Sequence, residues 1–94
     1  MPTNAELLAL AERHLYPNNR PGPFVLERGQ GAELWDVEGK RYLDLSAGVA
    51  VCSVGHAHPD YVRAIAEQVG ALGHVSNWFY NAPNIRAAEK LASL

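Results

Sequence analysis

Leu34-Trp35-Asp36-Val37-Glu38-Gly39-Lys40-Arg41-Tyr42-Leu43-Asp44-Leu45 reads as a β-hairpin. Two runs of alternating character, residues 32–37 and 40–45, flank Glu38-Gly39, and glycine supplies the positive φ that a tight turn between antiparallel strands demands. In the second run Arg41, Leu43 and Leu45 share one face, while Tyr42 and Asp44 share the other. Gly29-Gln30-Gly31 turns the chain out of a third strand, residues 24–28. Three antiparallel strands are the smallest sheet expected to hold together.

Thr3-Asn4-Ala5-Glu6 has the spacing of a capping box, and Leu7, Leu8, Leu10, Ala11 and Leu15 follow near helical spacing, so a short amphipathic helix is expected to end near His14. Three prolines in Pro17-Asn18-Asn19-Arg20-Pro21-Gly22-Pro23 make the next stretch an extended connector. Downstream of the hairpin, Pro59 suits the first turn of a helix over residues 60–72. Val62, Ile65, Ala66, Val69 and Leu72 form one stripe of that helix. A last helix is predicted from Pro83, with Ile85, Ala88, Leu91 and Ala92 on one face and no stop signal before Leu94. The fold class is therefore α+β: an N-terminal helix, a three-stranded antiparallel sheet, then two helices. The expected division is residues 1–58, holding helix, connector and sheet, and residues 59–94, holding the later helices and the loop between them.

Two stretches carry no Asp, Glu, Lys or Arg: Leu45 to Pro59 and Val69 to Ile85. Loops normally lie in water and carry polar groups. Either these two pack on the small sheet, or they lie against polypeptide outside these 94 residues, as large apolar surfaces on soluble proteins do. The second is expected, because so short a chain has little core with which to cover them.

The net charge of -2 and the absence of any basic run speak against a nucleic-acid partner, which needs a basic face. A lone cysteine, Cys52, builds no disulfide framework, so a reducing compartment is expected. The N-terminus lacks the basic and apolar regions of a secretory signal, and no apolar run approaches the roughly 18 residues of a membrane span. A cytoplasmic protein with no membrane partner follows.

Few residues point to chemistry. His56 and His58 flank Ala57, but no Cys, Asp or Glu completes a metal-ligand set, and both are expected to hydrogen-bond backbone around the turn before the helix. Cys52 sits among valines, which dulls a thiol, so a small buried hydrophobe is the expected role. Gly29-x-Gly31 and Gly70-x-x-Gly73 do not open helices after strands, so neither is a phosphate loop. Trp78-Phe79-Tyr80 reads as core or interface, with Asn77 and Asn81 as polar tips at its rim.

The order of these pieces resembles a known family. A Pro-rich lead, Arg28-Gly29-Gln30-Gly31, Leu34-Trp35-Asp36-x-x-Gly39-Lys40-x-Tyr42-Leu43-Asp44, Gly48-x-Ala50-Val51, Gly55-His56-x-His58-Pro59 and Asn77-x-x-Tyr80-Asn81-x-Pro83 together resemble the N-terminal part of the class III aminotransferases, over roughly Pro17 to Leu94. Within the class the resemblance is to the acetylornithine aminotransferases. Ornithine aminotransferases tend to carry a tyrosine at the position of Val49, whereas a small apolar residue suits an acylated α-nitrogen, since an unpaired buried hydroxyl is costly. Succinylornithine and 4-aminobutyrate aminotransferases are the alternatives inside the class, and a non-enzymatic interaction module is the alternative outside it.

The resemblance implies a pyridoxal 5'-phosphate enzyme of arginine biosynthesis, homodimeric or a higher homo-oligomer, that moves an amino group from a small-molecule amine to 2-oxoglutarate. It implies that Gly48, Val49 and Tyr80 face substrate and that Asn77, Trp78 and Phe79 lie at the dimer interface. It places no catalytic, cofactor-binding or metal-binding residue in this chain. Lys40 and Lys90 do not match the family's Schiff-base lysine, and the phosphate-binding Ser/Thr-Gly-x-Glu-Ala segment would follow Leu94. By this resemblance the 94 residues alone are an N-terminal segment of the small domain, inactive and without bound cofactor.

Overall fold

The computed structural model describes residues 1–94, which divide into two units, Met1–Pro59 and Asp60–Leu94. The first holds α1 (Asn4–His14), β1 (Leu26–Gln30), β2 (Glu33–Asp36), β3 (Arg41–Leu43) and the single turn α2 (Ala47–Ala50). The second holds nearly all of α3 (Pro59–Ala71), and α4 (Ala82–Ala92). The α+β class and the order of the predicted elements are those read from the sequence, and the single turn α2 is an addition to them.

α1 begins with the expected capping box: Thr3 Oγ1 accepts the Glu6 N–H at 3.2 Å, and Glu6 Oε2 accepts the Thr3 N–H at 2.8 Å. The strands run antiparallel in the order β1-β2-β3, with Gly29 opposite Leu34 and Leu34 opposite Tyr42. β1 starts two residues later than predicted and extends through Gly29 and Gln30. A bulge between Leu26 and Arg28 shifts its register against β2.

The hairpin loop is also longer than predicted. Residues 37–40 connect β2 to β3, because the Asp36 carboxylate accepts the N–H groups of Glu38 and Lys40 at 3.0 and 2.9 Å. A side-chain acceptor at the strand end thus takes up two loop N–H groups and closes a local turn. Gly39 sits in it at φ 82°, the backbone role expected of it.

The alternation predicted for β3 is observed: Arg41, Leu43 and Leu45 are exposed, while Tyr42 and Asp44 are half-buried. Leu34, Asp36 and Tyr42 share a face, where Phe24 stacks on Tyr42 with ring centroids 4.4 Å apart. Trp35 lies on the other face under the Arg28 guanidinium, 3.8 Å from its centroid.

α3 occupies Pro59–Ala71, one residue off the predicted range. α4 does have a stop, contrary to expectation: Ser93 caps it, its N–H bonded to Glu89 O and its Oγ to Lys90 O at 2.7 Å. No helix is long and apolar enough to cross a membrane.

No hydrophobic side chain is buried, and Asp36 is the one buried residue. The stripe of α3 is laid out as predicted, yet Val62, Ile65, Val69 and Leu72 are all exposed. The chain presents 8373 Å² of surface. Two separate compact bodies with the sizes of these units would together present only about 6,400 Å². The excess, on the order of 2,000 Å², is more than the roughly 800 Å² that each partner buries in a standard protein–protein interface.

Candidate functional site

The first candidate region is the loop from Asp44 to His56. Asp44 follows β3, and its N–H is held by Ala32 O at 2.8 Å. Its Oδ1 accepts the N–H groups of Ser46 and Ala47 at 3.0 and 2.9 Å, with the Ser46 hydroxyl at 3.3 Å. Its Oδ2 meets His56 Nε2 at 2.5 Å. The hydrogen bond from His56, then that from the Ala47 N–H, outweigh desolvation and lower the Asp44 pKa to about 2. An ionised carboxylate only accepts, so His56 Nε2 carries the proton between them. His56 therefore bonds a carboxylate with its ring, not the backbone groups expected of it.

The backbone of His56 is fixed as well, its N–H on Gly31 O at 2.8 Å and its carbonyl accepting the Gly31 N–H at 2.9 Å. Glycines make this approach possible. A Cβ on Gly29 would stand 2.8 Å from both Cβ and Cγ of His56, and one on Gly55 only 3.1 Å from Gly31 Cα. Gly29 thus admits the histidine ring and Gly55 the close approach of the Gly31 backbone, a role that the sequence does not reveal.

Between these ends the backbone turns left-handed. Gly48 lies at φ 62°, ψ 41° and Val49 at φ 61°, ψ 54°, while Ala47 and Ala50 have φ of 51° and 63°. Such a turn costs about 1–2 kcal/mol for each residue bearing a Cβ, so Ala47, Val49 and Ala50 together hold on the order of 3–6 kcal/mol of strain. The turn is closed by Ala50 N–H to Ser46 O at 2.8 Å and Cys52 N–H to Ala47 O at 2.9 Å. Val49 at its crest is 91% exposed. A β-branched residue in this region is an outlier, and such outliers cluster at ligand-contacting sites. Cys52 is half-buried rather than buried.

The second region belongs to the other unit. Asn77, Trp78, Phe79 and Tyr80 are all exposed, Trp78 by 83% and Tyr80 by 92%. Ser76 precedes them at φ 56°. Asn81 Oδ1 caps α4 by accepting the Asn84 N–H at 3.0 Å. Val49, Trp78 and Phe79, from the two chargeless stretches, are all exposed.

Neither lysine nor either buried or half-buried aspartate of this chain stands in a setting that fits pyridoxal phosphate. Lys40 is exposed at the hairpin, its Nζ 5.3 Å from the Tyr42 ring centroid, and Lys90 is exposed near the end of α4. The hollow of about 790 Å³ between α1 and the proline-rich connector is lined by residues such as Leu8, Leu15 and Tyr16, and by no lysine. Asp36 and Asp44, which could face a pyridine nitrogen, are committed elsewhere. Asp36 accepts from Asn4 Nδ2 at 3.0 Å and from the Tyr42 hydroxyl at 2.9 Å. Burial opposes its ionisation, but the donors Asn4, Lys40 N–H, Tyr42 and Glu38 N–H prevail and lower its pKa. Burial, and then Asp36 itself, raise the pKa of Tyr42.

That Asp36 network is absent from the sequence reading. Asn4 also accepts the Val25 N–H at 2.6 Å through Oδ1, and its own N–H reaches Glu38 Oε2 at 2.9 Å. It therefore ties the start of α1 to the connector and the hairpin. The Asn in the capping-box run is the available signal, though it names no distant partner.

Residues 15–94 match the model of the family described as aminotransferase class-III. The acetylornithine aminotransferase of Myxococcus xanthus is 51% identical over 85 residues, covering 90% of this chain and 21% of that protein. The crystal structure of acetylornithine aminotransferase from Elizabethkingia anophelis superimposes with a TM-score of 0.92 at 36% identity, covering 99% of this chain and 24% of that one. N-acetylornithine aminotransferase from Stenotrophomonas maltophilia gives 0.79 at 46% identity, covering 92% and 22%. The chain thus spans about a fifth of the length of the relatives it matches.

Proposed function

Because the chain belongs to the class III aminotransferases, we propose that its 94 residues form part of an acetylornithine aminotransferase, moving an amino group from N-acetylornithine to 2-oxoglutarate. In this reading residues 1–58 contribute to the small domain, and residues 59–94 lead toward the large one. Gly48, Val49 and Tyr80 face the substrate, and Asn77, Trp78 and Phe79 lie against a second subunit of a homodimer. The setting is cytoplasmic arginine biosynthesis.

The left-handed turn carries this reading. It holds Val49 outward on a rigid base, with an apolar side chain and no hydroxyl. An amine substrate whose α-nitrogen is acylated presents an amide where free ornithine presents an ammonium. An apolar neighbour leaves no buried polar group unpaired against the acyl group and offers nothing to an ammonium.

Pyridoxal phosphate, when bound by such an enzyme, serves as the electron sink of transamination. None of this chain's residues is assigned to holding it, and neither Lys40 nor Lys90 has a part in the chemistry. The surface excess and the exposed Trp78 and Phe79 support a partner of protein chemistry, as aromatic residues concentrate at such interfaces.

The test is a chimera in which residues 1–94 replace the matching segment of the Stenotrophomonas maltophilia enzyme. The expected result is cofactor absorbance and a preference for N-acetylornithine over ornithine, succinylornithine and 4-aminobutyrate. The 94-residue chain alone should show no cofactor absorbance. A chimera that folds and loads cofactor but prefers ornithine would overturn the substrate assignment.

A further inference from the structure

We propose that Asp44 and His56 are positioning residues for the amine substrate, with His56 acting through the Asp44 carboxylate to hold the left-handed turn that carries Val49. This rests on the reading of Val49 as a substrate-facing residue.

The loop from Leu45 to Gly55 contains no charged side chain and no buried residue. Within these 94 residues only Ala47, Cys52 and Gly55 of this loop are half-buried, which is little apolar packing with which to enforce a disfavoured backbone. What it has is a polar clasp at its mouth. Asp44 Oδ1 receives the Ser46 and Ala47 N–H groups, which lead into the turn, while Oδ2 is occupied by His56 Nε2. A carboxylate held at one oxygen is free to swing about its terminal torsion. Held at both, it presents a fixed acceptor to Ala47, where the positive φ values begin.

The far side of the clasp is bonded to the backbone between β1 and β2. His56 is bonded in both directions to the Gly31 backbone, and the Asp44 N–H is bonded to Ala32 O. The ring lies over Gly29, where a methyl group would collide with it. The clasp therefore ties both ends of the loop to one β1–β2 connection, and Val49 sits five residues beyond Asp44 at the crest. Release of His56 leaves the backbone of the sheet intact and frees the turn. A change there moves the substrate-facing side chain, not the chemistry.

The experiment compares His56→Gln with His56→Asn in the chimera. A glutamine amide nitrogen lies near the place of Nε2 and can still donate to Asp44. An asparagine amide lies near Nδ1 and falls short. Hydrogen exchange of the Ala50 and Cys52 amides is followed alongside steady-state kinetics. In His56→Asn these two amides should exchange about tenfold faster, and the KM for the amine donor should rise about tenfold, with kcat within about twofold and cofactor absorbance retained. His56→Gln should stay near the parent in both readouts. Equal behaviour of the two variants overturns the proposal, whether both match the parent or both lose cofactor and fold. If the parent chimera transaminates none of the four donors, the functional reading fails, and the exchange of Ala50 and Cys52 still decides the clasp.

Discussion

The two units are held in different ways. Met1–Pro59 is organised by two carboxylates. Asp36 gathers Asn4, Tyr42 and two loop N–H groups, and Asp44 gathers His56 and the start of the left-handed turn. Asp60–Leu94 has a helix capped at both ends, α4, but apolar stripes that face outward, together with an exposed Trp78-Phe79-Tyr80. The first unit specifies its shape internally, through directional bonds. The second presents apolar surface that its own residues leave exposed. Polar networks fix geometry within a chain, whereas uncovered apolar area implies assembly.

The strongest way to break this contrast is to remove the Asp36 hub. Asp36→Ala leaves Asn4, Tyr42 and the N–H groups of Glu38 and Lys40 without their acceptor. It should lower the thermal midpoint of the chimera by about 5 °C or more, the largest loss of any single change in the first unit. Differential scanning calorimetry checks it.

In the second unit the largest effect should appear only on assembly. Trp78→Ala should weaken subunit association by about 2 kcal/mol or more, roughly thirtyfold, as buried aromatic anchors do. The same change should leave the helicity of the 94-residue chain unaltered. Sedimentation equilibrium and circular dichroism separate the two. Trp78→Ala with unchanged dimer affinity would remove that residue from the interface.

Gly29→Ala probes the clasp by steric means. The added methyl must displace His56 or Leu34, at a cost of about 1–3 kcal/mol, measurable by chemical denaturation. Acid offers a related probe. Asp44 is held at a pKa of about 2, below its ordinary value of 3.8, so its ionised form favours the folded state. That contribution is complete above the unfolded pKa of about 4 and disappears as pH falls through about 2. The Asp44→Asn chimera should therefore lose less stability than the parent across that window, and the two acid titrations should run parallel above pH ~5.

The smallest effect has the opposite sign. Val49→Gly relieves a β-branched residue at φ 61° and should stabilise the folded loop by about 1 kcal/mol, after the added freedom of the unfolded chain is counted. It should also blunt the preference for the acylated donor. A loss of stability would show that the left-handed turn is not strained.

Much of the fold is legible in the sequence because its signals are local. The capping box at Thr3, the alternation in β3, the glycine in the hairpin and the proline before α3 each act within a few residues. The end of α4 is not legible, since Ser93 stops the helix with bonds to carbonyls that glycine-based stop signals do not anticipate. The hairpin loop is two residues longer than its sequence suggests, because Asp36 competes for the N–H groups of Glu38 and Lys40. Val49 stands out through resemblance, yet its backbone conformation has no signature in Gly48-Val49-Ala50.

The amino-acid order alone determined which segments become helix or strand and which faces are apolar, since these depend on neighbours along the chain. Only the folded chain decided that Asn4 would meet Asp36, that His56 would grip Asp44, and that four consecutive residues would turn left-handed between them. Such contacts join positions 12 to 32 residues apart. Their partners are chosen by strand order and by the space that glycines leave open, which no short window of sequence contains.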